Sequence, residues 1–222
     1  GVVLDFAHVK GWVPEEVSLR SVRKGLPRQN DKRGHMEAMP SADVPSLMEK
    51  LATAAPTAGR DALRFTIYNA VRSNETRFAV WTEFDLEKAV WTIPAERMKA
   101  GETHVVPLSA PVVALLRKRW AERTSDTGLV FSNDGKKPIS DMTMTKLLRD
   151  DGFASITVHG FRSTFTDWAA ECTDFPKEVA DKALAHKLPN KVEAAYRRTD
   201  FFEKRRSLMK QWADYLSNRT PA

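Results

Sequence analysis

The chain has 222 residues, 42% of them hydrophobic, enough to bury a core and to form one domain with an appendage or two small domains. No apolar run approaches the roughly 20 residues of a membrane span and no basic-then-apolar leader opens the chain, so no membrane partner is expected and the setting is read as cytoplasmic. Cys172 is the only cysteine, which excludes an internal disulfide and a cysteine-based zinc site, while the net charge of +6 points to a polyanionic partner.

The opening "GVVLDFAHVKGWVP" starts on an apolar run without a helix start signal, as a helix cut partway would. Residues 1–19 are therefore read as the tail of a preceding domain. In "RSVRKGLPRQNDKR" six basic residues, Arg20, Arg23, Lys24, Arg28, Lys32 and Arg33, stand against Asp31, with Gly25 and Pro27 interrupting any helix. Residues 20–40 are thus a basic interdomain linker, either a flexible strap or a solvated connection, and 41–222 form a compact domain. Within it Ser41 is expected to cap a helix running to about Ala54, and "RDALRFTIYNAV" carries Leu63, Ile67, Ala70 and Val71 at helical spacing. Short β-rich runs around a polar turn at 85–88 predict a hairpin and a third strand between about 79 and 108. Ser109 and Pro111 restart helix, and helical patterning dominates from there to "FFEKRRSLMKQWADYLSN". The class is mainly α with a small three-stranded antiparallel β-sheet (α+β).

Several residues along this path suit phosphate chemistry. His159 and Arg162 stand three apart at a predicted helix start, where imidazole, guanidinium and free backbone N–H groups can face one anion. Arg72 sits between two helical patterns, and Glu75 can hold its guanidinium, whose planar fork matches two phosphate oxygens. Lys99 falls in a turn between the second and third strands, with Gly101 permitting the bend; beside a basic site its ammonium could give up a proton to a departing oxygen. His104, on the third strand, reads as structural or facing a polyanion. Of the three tyrosines, Tyr68 and Tyr215 fall on amphipathic packing faces, whereas Tyr196 lies among Lys191, Arg197 and Arg198, surroundings that favour a phenolate nucleophile. Taken singly, each of these is also compatible with a surface pair or a solvated side chain. A zinc triad of His104, His159 and His186 lacks the close spacing such sites show, and no metal is implied.

In order, "AVRSNE", "MKAGETHVVPLS", "HGFR", "LAH" and "AAYRR" resemble the catalytic domain of the tyrosine recombinases, the phage integrase family, and the resemblance covers about residues 41–222. "WTEFDL", "WTIPAERMK" and "KRRSLMKQWADYL" are similar to prophage and genomic-island integrases related to that of satellite phage P4. The resemblance implies the tyrosine recombinase catalytic-domain fold and site-specific recombination through a 3′-phosphotyrosine link. It implies that Arg72 and Arg162 clamp the scissile phosphate with Glu75 supporting Arg72, that Lys99 protonates the leaving 5′-oxygen, that His159 serves proton transfer, that His186 bonds the phosphate and that Tyr196 attacks. It implies no cofactor, and it implies double-stranded DNA, a homotetramer on that DNA, and accessory DNA-bending or excisionase proteins as partners, in the bacterial nucleoid. Weak, salt-sensitive duplex binding is expected of a chain lacking the family's upstream clamp domain. The alternatives are a non-catalytic DNA-binding or regulatory relative and a type IB topoisomerase-like enzyme. The sequence departs from the family's glycines beside the first arginine, with Ala70 and Asn74 there instead, and the interval from His186 to Tyr196 is one longer than the commonest spacing. Whether the C-terminal helix packs on its own domain or on a neighbour is left open.

Overall fold

A computed structural model of the chain describes residues 2–13, 37–123, 125–186 and 200–218. The chain divides into two compact units, Gly1–His35 and Met36–Ala222. In the first, helix α1 (Val2–Val9) has no buried residue, and Phe6 meets Trp12 edge-on at 5.8 Å. The linker expected at 20–40 lies outside the described residues as far as residue 36.

The second unit opens on a turn of 3₁₀-helix, Ser41–Asp43, and only then enters helix α2 (Val44–Thr53). Ser41 is therefore not the cap its sequence position predicts: Pro45 fits the first turn of α2, where its missing N–H costs nothing, and the three preceding residues wind more tightly. Helix α3 (Ala58–Asn69) is capped by Thr57, whose hydroxyl accepts from the Arg60 amide at 3.1 Å. It ends where Ala70 turns left-handed at φ 50°, and helix α4 (Ser73–Arg77) follows at once.

Strands β1 (Phe84–Asp85), β2 (Val90–Ile93) and β3 (His104–Pro107) form the antiparallel sheet in the order β1-β2-β3, inside the span the sequence predicts. The register pairs Phe84 with Trp91 and Ile93 with His104. Asp85 holds the hairpin turn by accepting from the Lys88 amide and ammonium at 2.9 and 2.7 Å. Helix α5 (Ala110–Ala121) begins after Ser109 with proline in its first turn, as expected. Helices α6 (Thr143–Asp150), α7 (Gly160–Cys172), α8 (Lys177–Ala183) and α9 (Phe202–Leu216) complete the described α-helices, and 3₁₀ turns at Trp81–Glu83 and Ala95–Arg97 flank β1 and β2.

Two aromatic groups organise the core. Phe65 of α3 meets Trp91, Phe84 and Phe131 at 4.9–6.1 Å, seating the sheet against α3. Trp212 of α9 packs on Phe165 and Trp168 of α7 and stacks on Tyr215. Trp212 is fully buried, and its indole N–H donates to the Ile67 carbonyl at 3.0 Å, the partner that a buried indole requires. Helix α9 thus packs on its own domain. Tyr68 and Tyr215 are packing residues, as read from the sequence.

Candidate active site

Three chain crossings build the site. The first is the junction of α3 and α4. Arg72 occupies the N-cap of α4, and Glu75 at the third helical position turns back, accepting from the Arg72 amide and from its guanidinium, both at 2.8 Å. The ion pair expected from the sequence is present, and it is local because residues three apart share a helix face. Glu75 is buried, while a quarter of the Arg72 side chain remains exposed (26%).

The second crossing is the start of α7, with His159 at its N-cap. Gly160 is required there: a Cβ would lie 2.4 Å from the Glu37 carbonyl, so only glycine lets residues 37–39 pass. Thr164 donates to the Met39 carbonyl at 2.6 Å and secures the same approach. Arg162, one turn along, is 5% exposed. Its guanidinium donates to the Ala70 carbonyl at 2.6 Å, to the Leu184 carbonyl at 2.7 Å and to Nε2 of His186 at 3.2 Å. The left-handed turn at Ala70 is what aims that carbonyl inward, and it is the place where the family often has glycine. Asn74, at the other family glycine position, takes Arg77 through its side-chain oxygen at 2.8 Å.

The third crossing is the end of α8. Ala185 is left-handed at φ 51° and carries the chain to His186, whose Nδ1–H donates to Asp181 at 3.2 Å while Nε2 faces Arg162. His104 ties this crossing to the sheet, its Nε2–H donating to the Ala183 carbonyl at 3.2 Å. The next residue of the same strand, Val105, accepts from Arg205 of α9 at 2.6 Å, and Arg205 also holds Asp200 at 2.7 Å. The described residues before and after 187–199 are therefore both bonded to β3.

The electrostatics match the crowding. Burial, then the neighbouring Arg72, pushes the Arg162 pKa down to about 10 against the pull of Glu75. His159 is lowered by burial and by the charges of Arg162, Arg72 and His186, so its neutral form is favoured. His104 is lowered to about 4, first by burial and then by Arg205. Its role is structural, one of the two readings its position allowed.

The structure thus gathers Arg72, Glu75, His159, Arg162 and His186, drawn from positions 72 to 186. Lys99 is exposed in the turn after the 3₁₀ segment Ala95–Arg97 and makes no hydrogen bond or ion pair among the described residues. Tyr196 lies outside the described residues. The sequence reading missed Asp181, Arg205 and the two carbonyls that hold Arg162. Carbonyls carry no residue identity, and no local feature of the sequence singles out Asp181 over Glu178, the other acid of its helix. Among the described residues no group of three or more His, Cys, Asp or Glu could hold a metal ion, and no helix is long and apolar enough to cross a membrane.

A cluster of two arginines and two histidines on a helical domain with one small antiparallel sheet defines a class that comparison makes specific. Residues 37–203 match the phage integrase family, and the chain belongs to it. The integrase of Enterobacteria phage P4 is 34% identical over 204 residues, covering 83% of this chain and 46% of that protein. Prophage integrase IntZ of Escherichia coli K12 is 33% identical over 187 residues, with the same two shares. The chain therefore spans less than half the length of these two relatives. Among solved structures, the integrase of mycobacterium phage Brujita superposes with a TM-score of 0.60 at 16% identity, over 99% of this chain and 74% of that one. A lambda integrase tetramer bound to a Holliday junction gives 0.58 at 16%, over 89% of this chain and 57% of that one. These likenesses show the tyrosine recombinase catalytic-domain fold.

Proposed function

We propose that the chain is the catalytic part of a site-specific DNA recombinase that integrates and excises a prophage or genomic island. The observation that carries this reading is Arg162: a buried guanidinium without a carboxylate partner among the described residues, beside Arg72 and two imidazoles, in a member of the phage integrase family. Buried cations are ordinarily paired, so the cluster is short of negative charge, and a DNA phosphate supplies it.

In the proposed reaction the Tyr196 hydroxyl attacks phosphorus, the bond to the 5′-oxygen breaks, and a 3′-phosphotyrosine link forms. Neutral His159 takes the phenolic proton, and Lys99 delivers one to the departing 5′-oxygen, leaving a free hydroxyl. Arg72 and Arg162 stabilise the transition-state charge on the non-bridging oxygens, with Glu75 orienting Arg72, and His186 bonds the same phosphate in the tautomer that carries its proton on Nε2, a switch from the Nδ1–H form that Asp181 and Arg162 hold here. Attack by a partner strand's 5′-hydroxyl reverses each transfer and joins new ends. One phosphodiester is exchanged for another, so the reaction requires no nucleotide cofactor.

Strand exchange between two duplexes needs four active sites, and the lambda integrase structure is a tetramer on a Holliday junction. We extend that assembly, double-stranded attachment sites, a nucleoid location and accessory DNA-bending or excisionase proteins to the whole protein of which this chain is the catalytic part. The test is a nicked duplex carrying the direct repeat that flanks the gene's element. A covalent protein–DNA adduct that disappears in Tyr196→Phe supports the reading. Binding without an adduct supports a regulatory relative, and relaxation of supercoils without a preferred site supports a topoisomerase.

A further inference from the structure

We propose that Arg97 is a positioning residue for the phosphate clamp, fixing Arg72 through the main chain of Glu75; the proposal rests on the function proposed above. Helix α4 has five residues, Ser73–Arg77, far fewer than the roughly 12 to 15 at which an isolated helix becomes even marginally stable. It cannot hold its own shape, yet its N-cap is Arg72. Something outside the helix must fix it.

The carbonyls at a helix end have no partner within the helix. In α4 the Phe78 and Ala79 amides take the Asn74 and Thr76 carbonyls, and the partner of the Glu75 carbonyl is Arg97: one nitrogen donates to it, and the other grips both oxygens of Glu83. A guanidinium at this end also suits the negative pole of the helix. Glu83 is held in turn by the Trp91 indole at 2.9 Å, and Trp91 is fully buried, stacked on Phe84 at 5.3 Å. Glu75 is therefore fastened at both ends, its carboxylate on Arg72 and its carbonyl on Arg97. The path from the rigid sheet to the clamp reads Trp91, Glu83, Arg97, Glu75, Arg72, and every link is a charged or buried hydrogen bond.

Thr76 and Arg77 hold the later residues of α4, on Thr66 at 2.8 Å and on the Ile139 carbonyl at 2.9 Å, so removing Arg97 leaves the Glu75 carbonyl and the Glu83 carboxylate without this partner and lets the Glu75 end of α4, which carries Arg72, shift. A displacement of about 1 Å is enough to cost on the order of a hundredfold in rate when it moves a group that must meet the transition state. Lys99 lies two residues beyond Arg97, so a rival path runs through the turn that carries the proposed acid. The two paths give different chemical signatures. A methylphosphonate at the scissile position lacks one anionic oxygen and needs less positive charge, which relieves a damaged arginine clamp. A bridging 5′-sulfur leaves without a proton, which relieves a damaged acid.

Adduct formation is measured under single turnover with the full chain on the ordinary, methylphosphonate and 5′-sulfur substrates. Arg97→Met is expected to slow the ordinary substrate at least tenfold, about 1.4 kcal/mol of barrier, with duplex affinity unchanged within about twofold. On the methylphosphonate the deficit shrinks below about threefold, as for Arg72→Ala; on the 5′-sulfur substrate it persists, whereas that of Lys99→Ala is relieved. Arg97→Lys, which keeps the charge but cannot span both partners, shows the same pattern at smaller size and replaces Arg97→Met if thermal melting finds the latter unfolded. No deficit, an equal deficit on all three substrates, or relief by sulfur alone overturns the proposal. If the unsubstituted chain forms no adduct on any substrate, the functional reading fails and this proposal with it.

Discussion

The two arginines of the candidate site are held in opposite ways. Arg72 is partly exposed and paired with a carboxylate three residues away, so its charge is neutralised on the spot. Arg162 is buried and held by two carbonyls and an imidazole from chain positions 70, 184 and 186. Carbonyl dipoles orient a guanidinium without cancelling its charge, and burial beside Arg72 holds the Arg162 pKa below its ordinary value. In the proposed reaction the pair therefore divides the work: one cation is kept in register by a counterion, and the other supplies the positive charge that an incoming phosphate would meet.

This contrast is broken most directly at Arg162. Arg162→Lys keeps a charge but cannot reach Ala70 and Leu184 together, and single-turnover cleavage is expected to fall by about 100- to 1,000-fold, as when a preorganised transition-state donor is removed. A fall no larger than that of Arg72→Lys would erase the distinction. Next in size is the acid sensitivity of the tether beside Arg162. The folded pKa of His104, about 4, lies below the ordinary 6.5, so on acidification the unfolded chain takes the proton first. The stability held by neutral His104 is present above pH 6.5 and is lost as pH falls towards 4, by about 3 kcal/mol. Urea unfolding at pH 7 and pH 4 should show this loss, and His104→Gln should flatten it.

On the Arg72 side the expected effects are smaller. Glu75→Gln keeps the capping geometry but removes the counterion, and cleavage should fall about tenfold, with a stability loss of roughly 1 kcal/mol in the same urea titration. The smallest effect tests the backbone that serves Arg162. Ala70→Gly relieves the left-handed strain at φ 50° and keeps the carbonyl, so a gain of up to about 1 kcal/mol is expected, visible as a higher melting temperature. A loss there would mean that the Ala70 methyl, buried in the core, contributes more by packing than its backbone conformation costs.

The comparison also separates what was readable before folding from what was not. The Arg72–Glu75 pair, the helix start at His159, the hairpin and the restart at Ser109 depend on residues a few positions apart, and the sequence alone determined them. So did the family, because five short motifs kept their order along the chain. Only the tertiary structure decided that Arg162 is held by the Ala70 and Leu184 carbonyls, that β3 ties Ala183 through His104 and Arg205 through Val105, and that α9 lies on its own domain through Trp212. It also placed Arg97 on the Glu75 carbonyl and corrected the cap expected at Ser41. The physical reason is range. Helix caps, turns and side-chain pairs within one turn draw on local spacing, whereas a backbone carbonyl becomes a ligand only when a distant segment is brought to it, and nothing in its residue's identity announces that role.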